Sequence, residues 1–330
     1  MLNFLHELTD RLLGGGEVTF EEASQLSKII KQRDIISLIS FANSIREELK
    51  GNFIDLCAII NAKSGKCSED CAFCSQSAHY NTDIERYPLV AEEEIIERAI
   101  EASNMGANKF SIVISGGNIK DPDELRSICK TFEGMSSRVT IGRCASLGTL
   151  TRETASDLKK AGLERYHHNL ETSESFFPKI CTTHSYQERV KTIKIAKDVG
   201  FKVCCGGIFG IGETPEQRLE FAFTLKELEV DSIPINFLNP IPGTPLENAP
   251  PIPPMEILKI VSIFRFIHPT RDIRVCGGRQ RNLRDVQPLM YLAGANGAMI
   301  GNYLTTPGSD YKEDLQLIED LMLVPKGRAD

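Results

Sequence analysis

From residue 53 onward, short apolar runs alternate with amphipathic stretches of helical period, and the apolar run recurs eight times. The runs predict strands near 53–60, 109–115, 138–144, 164–169, 201–208, 231–237, 272–276 and 296–301. Between them the spacing predicts helices near 91–104, 121–132, 151–161, 185–199, 214–228, 254–267 and 283–293. The punctuation agrees. Gly106, Gly162 and Gly200 follow predicted helices, where a left-handed cap suits glycine. Pro215 after Thr214 fits a first helical turn, and Pro269 closes the helix before the strand at 272. Eight strands alternating with helices over about 250 residues predict an α/β fold, a (β/α)8 barrel of the TIM type. A doubly wound open sheet is the competitor, but no G-x-G-x-x-G opens the first unit.

Residues 1–50 read as an N-terminal helical extension, with a capping box at Thr19 and Glu22 and Ala23, Leu26, Ile29 and Ile30 at helical spacing. Residues 51–310 form the predicted barrel, and 311–330 a C-terminal tail on or near it. No internal repeat or low-complexity tract divides the chain, and PPIPP (250–254) reads as a surface turn. The net charge of −7 argues against a nucleic-acid partner. No window approaches about 20 uninterrupted apolar residues, so no membrane span is expected. The N-terminus mixes acids with leucines and reads as a helix rather than a signal peptide, which places the chain in the cytoplasm.

Ten cysteines are many for such a protein. In the cytoplasm clustered thiols point to metal or redox chemistry rather than disulfides. Cys67, Cys71 and Cys74 stand in KCSEDCAFC, a C-x3-C-x2-C triplet directly after the first predicted strand. That is the C-terminal face of a barrel, where active sites sit. Three thiolates on a short loop can hold three irons of a cubane and leave the fourth open. Zinc is the alternative, with His79 as a fourth ligand to close the site.

The triplet resembles the radical S-adenosylmethionine superfamily, in which the open iron binds S-adenosylmethionine and reduction releases a 5′-deoxyadenosyl radical. Phe73 matches the aromatic position near the adenine. The remaining motifs resemble the biotin synthase family: CSEDCAFCSQSAHY (67–80), YHHNLETS (166–173), TTHSYQERV (182–190), KVCCGGIFGIGET (202–214), PINFLNPIPGTPLE (234–247), RVCGGRQ (274–280) and AGANG (293–297). They cover most of residues 53–310 in the family's order. By this resemblance Cys67, Cys71 and Cys74 hold a [4Fe–4S] cluster, and Phe73, Asn169, Glu171 and Arg189 contact S-adenosylmethionine, Arg189 through its carboxylate. Asn169 also lies near the substrate, Asn236 binds the ureido ring of dethiobiotin, and Thr305 and Thr306 hold its tail carboxylate. Asn169 and Asn236 both end predicted strands, where a polar group faces the barrel mouth; for the two threonines a plain capping turn is the competing reading.

The pattern also departs from the family. Its [2Fe–2S] cluster takes three cysteines and an arginine. Cys144, Cys204 and Arg274 are present, but the third cysteine aligns with Ser111, and a nearby arginine is replaced by Lys109. Two other cysteines appear instead. Cys57 lies on the first predicted strand, and Cys276 lies two residues after Arg274 on the seventh, on the same face. Cys57, Cys144, Cys204 and Cys276 thus fall on the four odd strands, which contribute to common layers in such barrels. We therefore expect an auxiliary iron–sulfur cluster of four-iron type rather than [2Fe–2S], with Arg274 as ligand or as donor to cluster sulfur. Packing is the competing role for Cys57 and Cys276, since free cysteine is a common core residue. Cys205 should point away, Cys129 and Cys181 read as structural, and His167, His168, His184 and His268 show no metal-ligand spacing.

The resemblance implies sulfur insertion into dethiobiotin, with the auxiliary cluster as sulfur donor, a flavodoxin or ferredoxin as reductant, and a homodimer. The alternative is a related radical enzyme of the hydrogenase-maturation or methylornithine-synthase type, without sulfur insertion. A non-enzymatic zinc- or cluster-binding protein would leave Asn169, Arg189 and Asn236 without a task.

Overall fold

The computed structural model describes residues 1–327. Three helices, α1 (Leu2–Leu13), α2 (Phe20–Ser27) and α3 (Gln32–Lys50), precede the barrel. Its strands are β1 (Phe53–Lys63), β2 (Lys109–Ile114), β3 (Gly142–Ser146), β4 (Arg165–His167), β5 (Lys202–Cys204), β6 (Gly207–Phe209), β7 (Ser232–Phe237), β8 (Asp272–Val275) and β9 (Gly297–Met299). All pair in parallel, and β1 pairs with β9 from Asp55–Gly297 to Cys57–Met299, which closes the cylinder. β5 and β6 share one barrel position, since both pair with β7. The outer helices are α4 (Glu92–Asn104), α5 (Pro122–Arg138), α6 (Arg152–Lys160), α7 (Tyr186–Asp198), α8 (Pro215–Glu227) and α9 (Pro254–Ile267). Short helices α10 (Arg279–Leu283), α11 (Leu289–Leu292) and α12 (Tyr311–Asp320) follow, and β10 (Val324–Pro325) pairs with the start of β1.

The caps follow the local chemistry. Thr19, Thr151, Ser185 and Thr214 each close a capping box. Glu92, Glu93 and Glu94 occupy the first turn of α4, where carboxylates meet the positive end of the helix dipole. Three predicted elements differ. The strand expected at 138–144 begins at Gly142, because α5 continues to Arg138. The strand expected at 201–208 breaks at Cys205–Gly206, where a Cβ on Gly206 would lie 1.9 Å from the Pro234 carbonyl oxygen. The helix expected at 283–293 is divided into α10, a 3-10 turn at Arg284–Val286 and α11; Pro288 lacks the N–H that a continuous helix needs there.

The helical extension has a clear physical task. α9 is buried along its whole length from Ile257 to Ile267, and a helix apolar all round needs cover on every side. The barrel supplies one side, and α2 and α3 pack on the other. Lys259 Nζ donates to the Ser27 and Ile29 carbonyls at 3.1 and 3.2 Å, which satisfies a buried ammonium. Arg265, fully buried, donates to Gly294, His268, Pro269 and Arg271 carbonyls and to Asn296 Oδ1.

Beside it, burial and the Arg265 charge push the His268 imidazole down to about 3. The fold therefore holds a neutral ring whose contribution is intact above the ordinary histidine value of about 6.5 and fades as pH falls towards 3. Denaturant titrations at pH 7.5 and 5 are expected to show that His268→Gln removes about 1–2 kcal/mol of the acid destabilisation. At the other end, Arg279 Nη2 meets Asp314 Oδ1 and Oδ2 at 2.5 and 2.6 Å and joins α10 to α12, both side chains 1% exposed. Asp314→Ala leaves an unpaired buried guanidinium and is expected to lower unfolding free energy by about 3–5 kcal/mol in the same assay.

Candidate active site

The barrel mouth is built from the loop after β1 and from the C-terminal ends of the strands. The triplet loop folds back on itself: Cys67 N donates to Gln76 O at 3.0 Å, Ala78 N to Cys67 O at 2.8 Å, and Cys74 N to Cys71 O at 2.9 Å. This brings Phe73 and Cys74 to the wall of an interior cavity of about 340 Å³. The same cavity is lined by Cys57, Cys144, Cys204 and Cys276 from below and by Asn169, Glu171, Asn236, Thr305 and Thr306 at the mouth.

The register explains the convergence. Ser111 pairs with Cys144 across β2 and β3, and His167 pairs with Cys204 across β4 and β5. The four cysteines stand on the first, third and fifth barrel strands and at the exit of the seventh, and all four line the cavity. Burial pushes the Cys57 thiol up to about 11 and raises those of Cys144 and Cys276 as well. At Cys204 burial acts in the same direction, but His167 and the Arg274 and Arg165 guanidiniums outweigh it and bring the thiol down to about 7. Cys205 is fully buried on the other side of the strand and does not line the cavity, and Cys129 sits on α5.

Arg274 has a partner of its own. Its Nη2 lies 2.8 Å from Asp55 Oδ1, and Nε donates to Ser232 Oγ at 2.9 Å. Lys109 pairs with the other oxygen of Asp55. The guanidinium is thus ion-paired with a carboxylate, yet neither Nη2 nor Oδ1 completes a hydrogen bond among the described residues, and the side chain still reaches the cavity wall. Among the lining residues that sequence reasoning left unassigned, two come from β4. Arg165 presents a buried Nη1 without a hydrogen-bond partner among the described residues, and His167 borders Cys204. The signal was present: Arg165, His167 and Asn169 alternate along β4 and its exit, so they share the inward face.

At the mouth, polar groups are held by backbone. Asn169 Oδ1 accepts from Gly206 N at 3.0 Å, and its Nδ2 donates to Glu171 Oε2 at 3.2 Å. Glu171 has φ +72°, a left-handed conformation that costs a non-glycine residue about 1 kcal/mol or more. Backbone bonds from Glu171 N to Gly206 O and from Ile208 N to Glu171 O hold it there. Asn236 donates to Gly207 O at 3.1 Å and accepts from Gly277 N at 2.9 Å, which fixes its amide plane. Thr305 Oγ1 lies 3.0 Å from Ser75 Oγ, linking the 302–308 loop to the triplet loop.

Arg189 stands behind this wall rather than in it. Its Nη1 donates to Asn169 O at 2.8 Å and lies 3.9 Å from Glu171 Oε1, and its Nε donates to His184 Nε2 at 2.8 Å. Among the described residues His79 takes no part in a metal-capable group; its Nε2 lies 3.0 Å from Ser68 O. The donors that do gather are Cys71, Cys181 and His184, within 4.8 Å of one another. Cys181, read from sequence as structural, and His184, which shows no metal-ligand spacing in the sequence, therefore adjoin the triplet.

The residues fit sulfur-rich centres. Among the described residues all ten cysteines are free, and four of them line one cavity together with Arg165 and Arg274, side chains whose N–H groups suit anionic sulfur. The Radical SAM superfamily model matches residues 62–225, and the Biotin and Thiamin Synthesis associated domain matches 234–323. A biotin synthase of Geobacter sulfurreducens is 51% identical over 323 residues, 98% of each chain. One of Clostridium acetobutylicum is 48% identical over 322 residues, 97% of this chain and 98% of that one. Among solved structures, a methylornithine synthase superposes with a TM-score of 0.84 at 21% identity, covering 96% of this chain and 97% of that one. The FeFe-hydrogenase maturase of Carboxydothermus hydrogenoformans gives 0.81 at 18%, covering 97% and 79%. A closed parallel barrel with a C-x3-C-x2-C loop at its mouth defines a radical S-adenosylmethionine enzyme. The two solved barrels share that fold and, at such identity, speak to nothing finer. Full-length similarity at about half the residues does: the chain belongs to the biotin synthase family.

Proposed function

We propose that this chain converts dethiobiotin to biotin by inserting sulfur between two unactivated carbons. The observation that carries the reading is the single cavity shared by the triplet loop, four inward cysteines and the mouth amides. Cys67, Cys71 and Cys74 would hold a [4Fe–4S] cluster with one iron open to S-adenosylmethionine. Cys57, Cys144, Cys204 and Cys276 would hold an auxiliary cluster, for which we favour the four-iron type. When bound, these groups supply a carbon-centred radical initiator and a sulfur source.

The chain's own residues position and shield. Phe73, Asn169 and Glu171 form the S-adenosylmethionine end, and Arg189, a guanidinium suited to a carboxylate, stands directly behind them on the Asn169 carbonyl. Asn236, its amide plane fixed by Gly207 and Gly277, offers its remaining N–H to the ureido carbonyl. Thr305 and Thr306 receive the tail carboxylate. The barrel wall below and the 302–308 loop above exclude water, which suppresses side reactions of a radical. Arg274, tied to Asp55, serves as a hydrogen-bond donor towards the auxiliary site rather than as an iron ligand. A homodimer, a flavodoxin or ferredoxin reductant and a cytoplasmic location complete the reading; free, closely spaced thiols suit a reducing compartment. Among the described residues no helix is long and apolar enough to cross a membrane.

Anaerobic incubation with dethiobiotin, S-adenosylmethionine and a low-potential reductant tests the function. Biotin is the expected product. Deoxyadenosine release without biotin would transfer the chain to the class without sulfur insertion, and no cleavage at all would leave a non-enzymatic binder.

A further inference from the structure

One thiol at the mouth has no part in either cluster. Cys181 lies in the loop between β4 and α7, 4% exposed, with its Sγ 3.9 Å from Sγ of Cys71, itself 7% exposed. The two segments are joined by other bonds. Ala72 N donates to Ile180 O at 2.8 Å, so Cys71 and Cys181 are the next residues outward from a bonded backbone pair. The Asp70 carboxylate accepts from Thr182 N at 2.8 Å, Thr182 Oγ1 at 2.5 Å and Thr183 N at 3.2 Å. These contacts need no metal, so they hold the thiols face to face in the cluster-free chain. Among the described residues neither Cys67 nor Cys74 makes a hydrogen bond to another thiol.

A disulfide needs sulfurs about 2 Å apart on side chains whose Cβ atoms approach within about 4 Å. At 3.9 Å the two sulfurs stand within the sweep of rotation about their Cα–Cβ bonds. We propose that Cys181 is a covalent partner of the cluster loop: in the cluster-free chain Cys71 and Cys181 form a reversible disulfide on exposure to peroxide. The steps balance. One thiol is oxidised by hydrogen peroxide to a sulfenic acid, with loss of one water. The other sulfur attacks it, the S–S bond forms, the S–O bond breaks, and a second water leaves. Two thiols give up two electrons and two protons, and peroxide takes both. A thiol or phosphine reductant reopens the bond. The bond shelters Cys71 from the irreversible sulfinic state and withholds one leg of the triplet until reducing conditions return.

The bond is tested on the full chain after iron removal, and does not depend on the function proposed above. The chain is treated with two equivalents of hydrogen peroxide, alkylated and digested without reduction. Mass spectrometry is expected to show a cross-linked pair of peptides carrying Cys71 and Cys181, with two thiols lost per chain. Iron–sulfur reconstitution is then expected to fail before reduction and to recover after it. Cys181→Ser keeps an oxygen for Asp70 and His184; it gives no such cross-link, and its recovery after the same oxidation is expected to be roughly threefold lower because Cys71 over-oxidises. Cross-links confined to Cys67, Cys71 and Cys74, or equal recovery of both proteins, would overturn the proposal. So would zinc retained by the untreated wild type and lost in the variant, which would make Cys181 and His184 metal ligands instead. The wild-type peptide map stands even if the variant folds poorly.

Discussion

Cys74→Ser is expected to abolish both deoxyadenosine release and biotin formation, by at least about a thousandfold, equivalent to some 4 kcal/mol of barrel-mouth chemistry. Serine keeps the size of the side chain, and the loop's backbone bonds at Cys67, Cys74 and Ala78 remain available to fold it. What is lost is a soft thiolate at one of three positions that must act together, since a hydroxyl is a poor iron ligand. A fall shared by both products separates this site from one that only supplies sulfur. Chromatographic quantification of both products under anaerobic turnover is the measurement. Cleavage at near wild-type rate would remove Cys74 from the proposed ligand set.

Cys276→Ser is expected to divide the two products. Deoxyadenosine release continues, because the triplet loop is untouched, while biotin falls below about one per cent of wild type. Iron and sulfide are expected to drop from about eight to about four per chain, read by metal analysis and Mössbauer spectroscopy on anaerobic protein. Cys57→Ser and Cys144→Ser should behave alike, as residues on alternate strands lining the same cavity. A variant that retains about eight irons and makes biotin would return Cys276 to packing. About six irons in the wild type with a [2Fe–2S] signature would restore the cluster of familiar relatives and overturn the four-iron reading.

How far residues alone reached can be followed strand by strand. The eight strands were legible because a barrel strand buried on both faces reads as a compact apolar run, bounded by glycine and proline. Val139 and Ile141 read as strand yet serve as the exit from α5, since β-branched side chains suit either role when packed. The break at Cys205–Gly206 follows from the approach of Pro234 and of Asn169, which lie 28 and 37 residues away in sequence, and no local pattern encodes it. Arg165 and His167 alternate with the expected Asn169, so period two contained them, but an arginine and a histidine on an inward face run against the usual composition of a core.

By itself the sequence determined the alternation that makes a barrel, the triplet that marks its mouth, and the motif order that separates this family from barrels of the same shape. The solved methylornithine synthase shows why that matters: its backbone superposes at 0.84 with 21% identity, so shape alone leaves the chemistry open. Tertiary structure decided what meets what. Barrel closure sets Cys57 and Cys276 on the wall of one cavity, pairs Arg274 with Asp55, and brings Arg165 to the same wall. It also lays Cys181 against Cys71, 110 residues earlier. Periodicity states which way a side chain points along its own element; only the packing of elements distant in sequence states what it finds there.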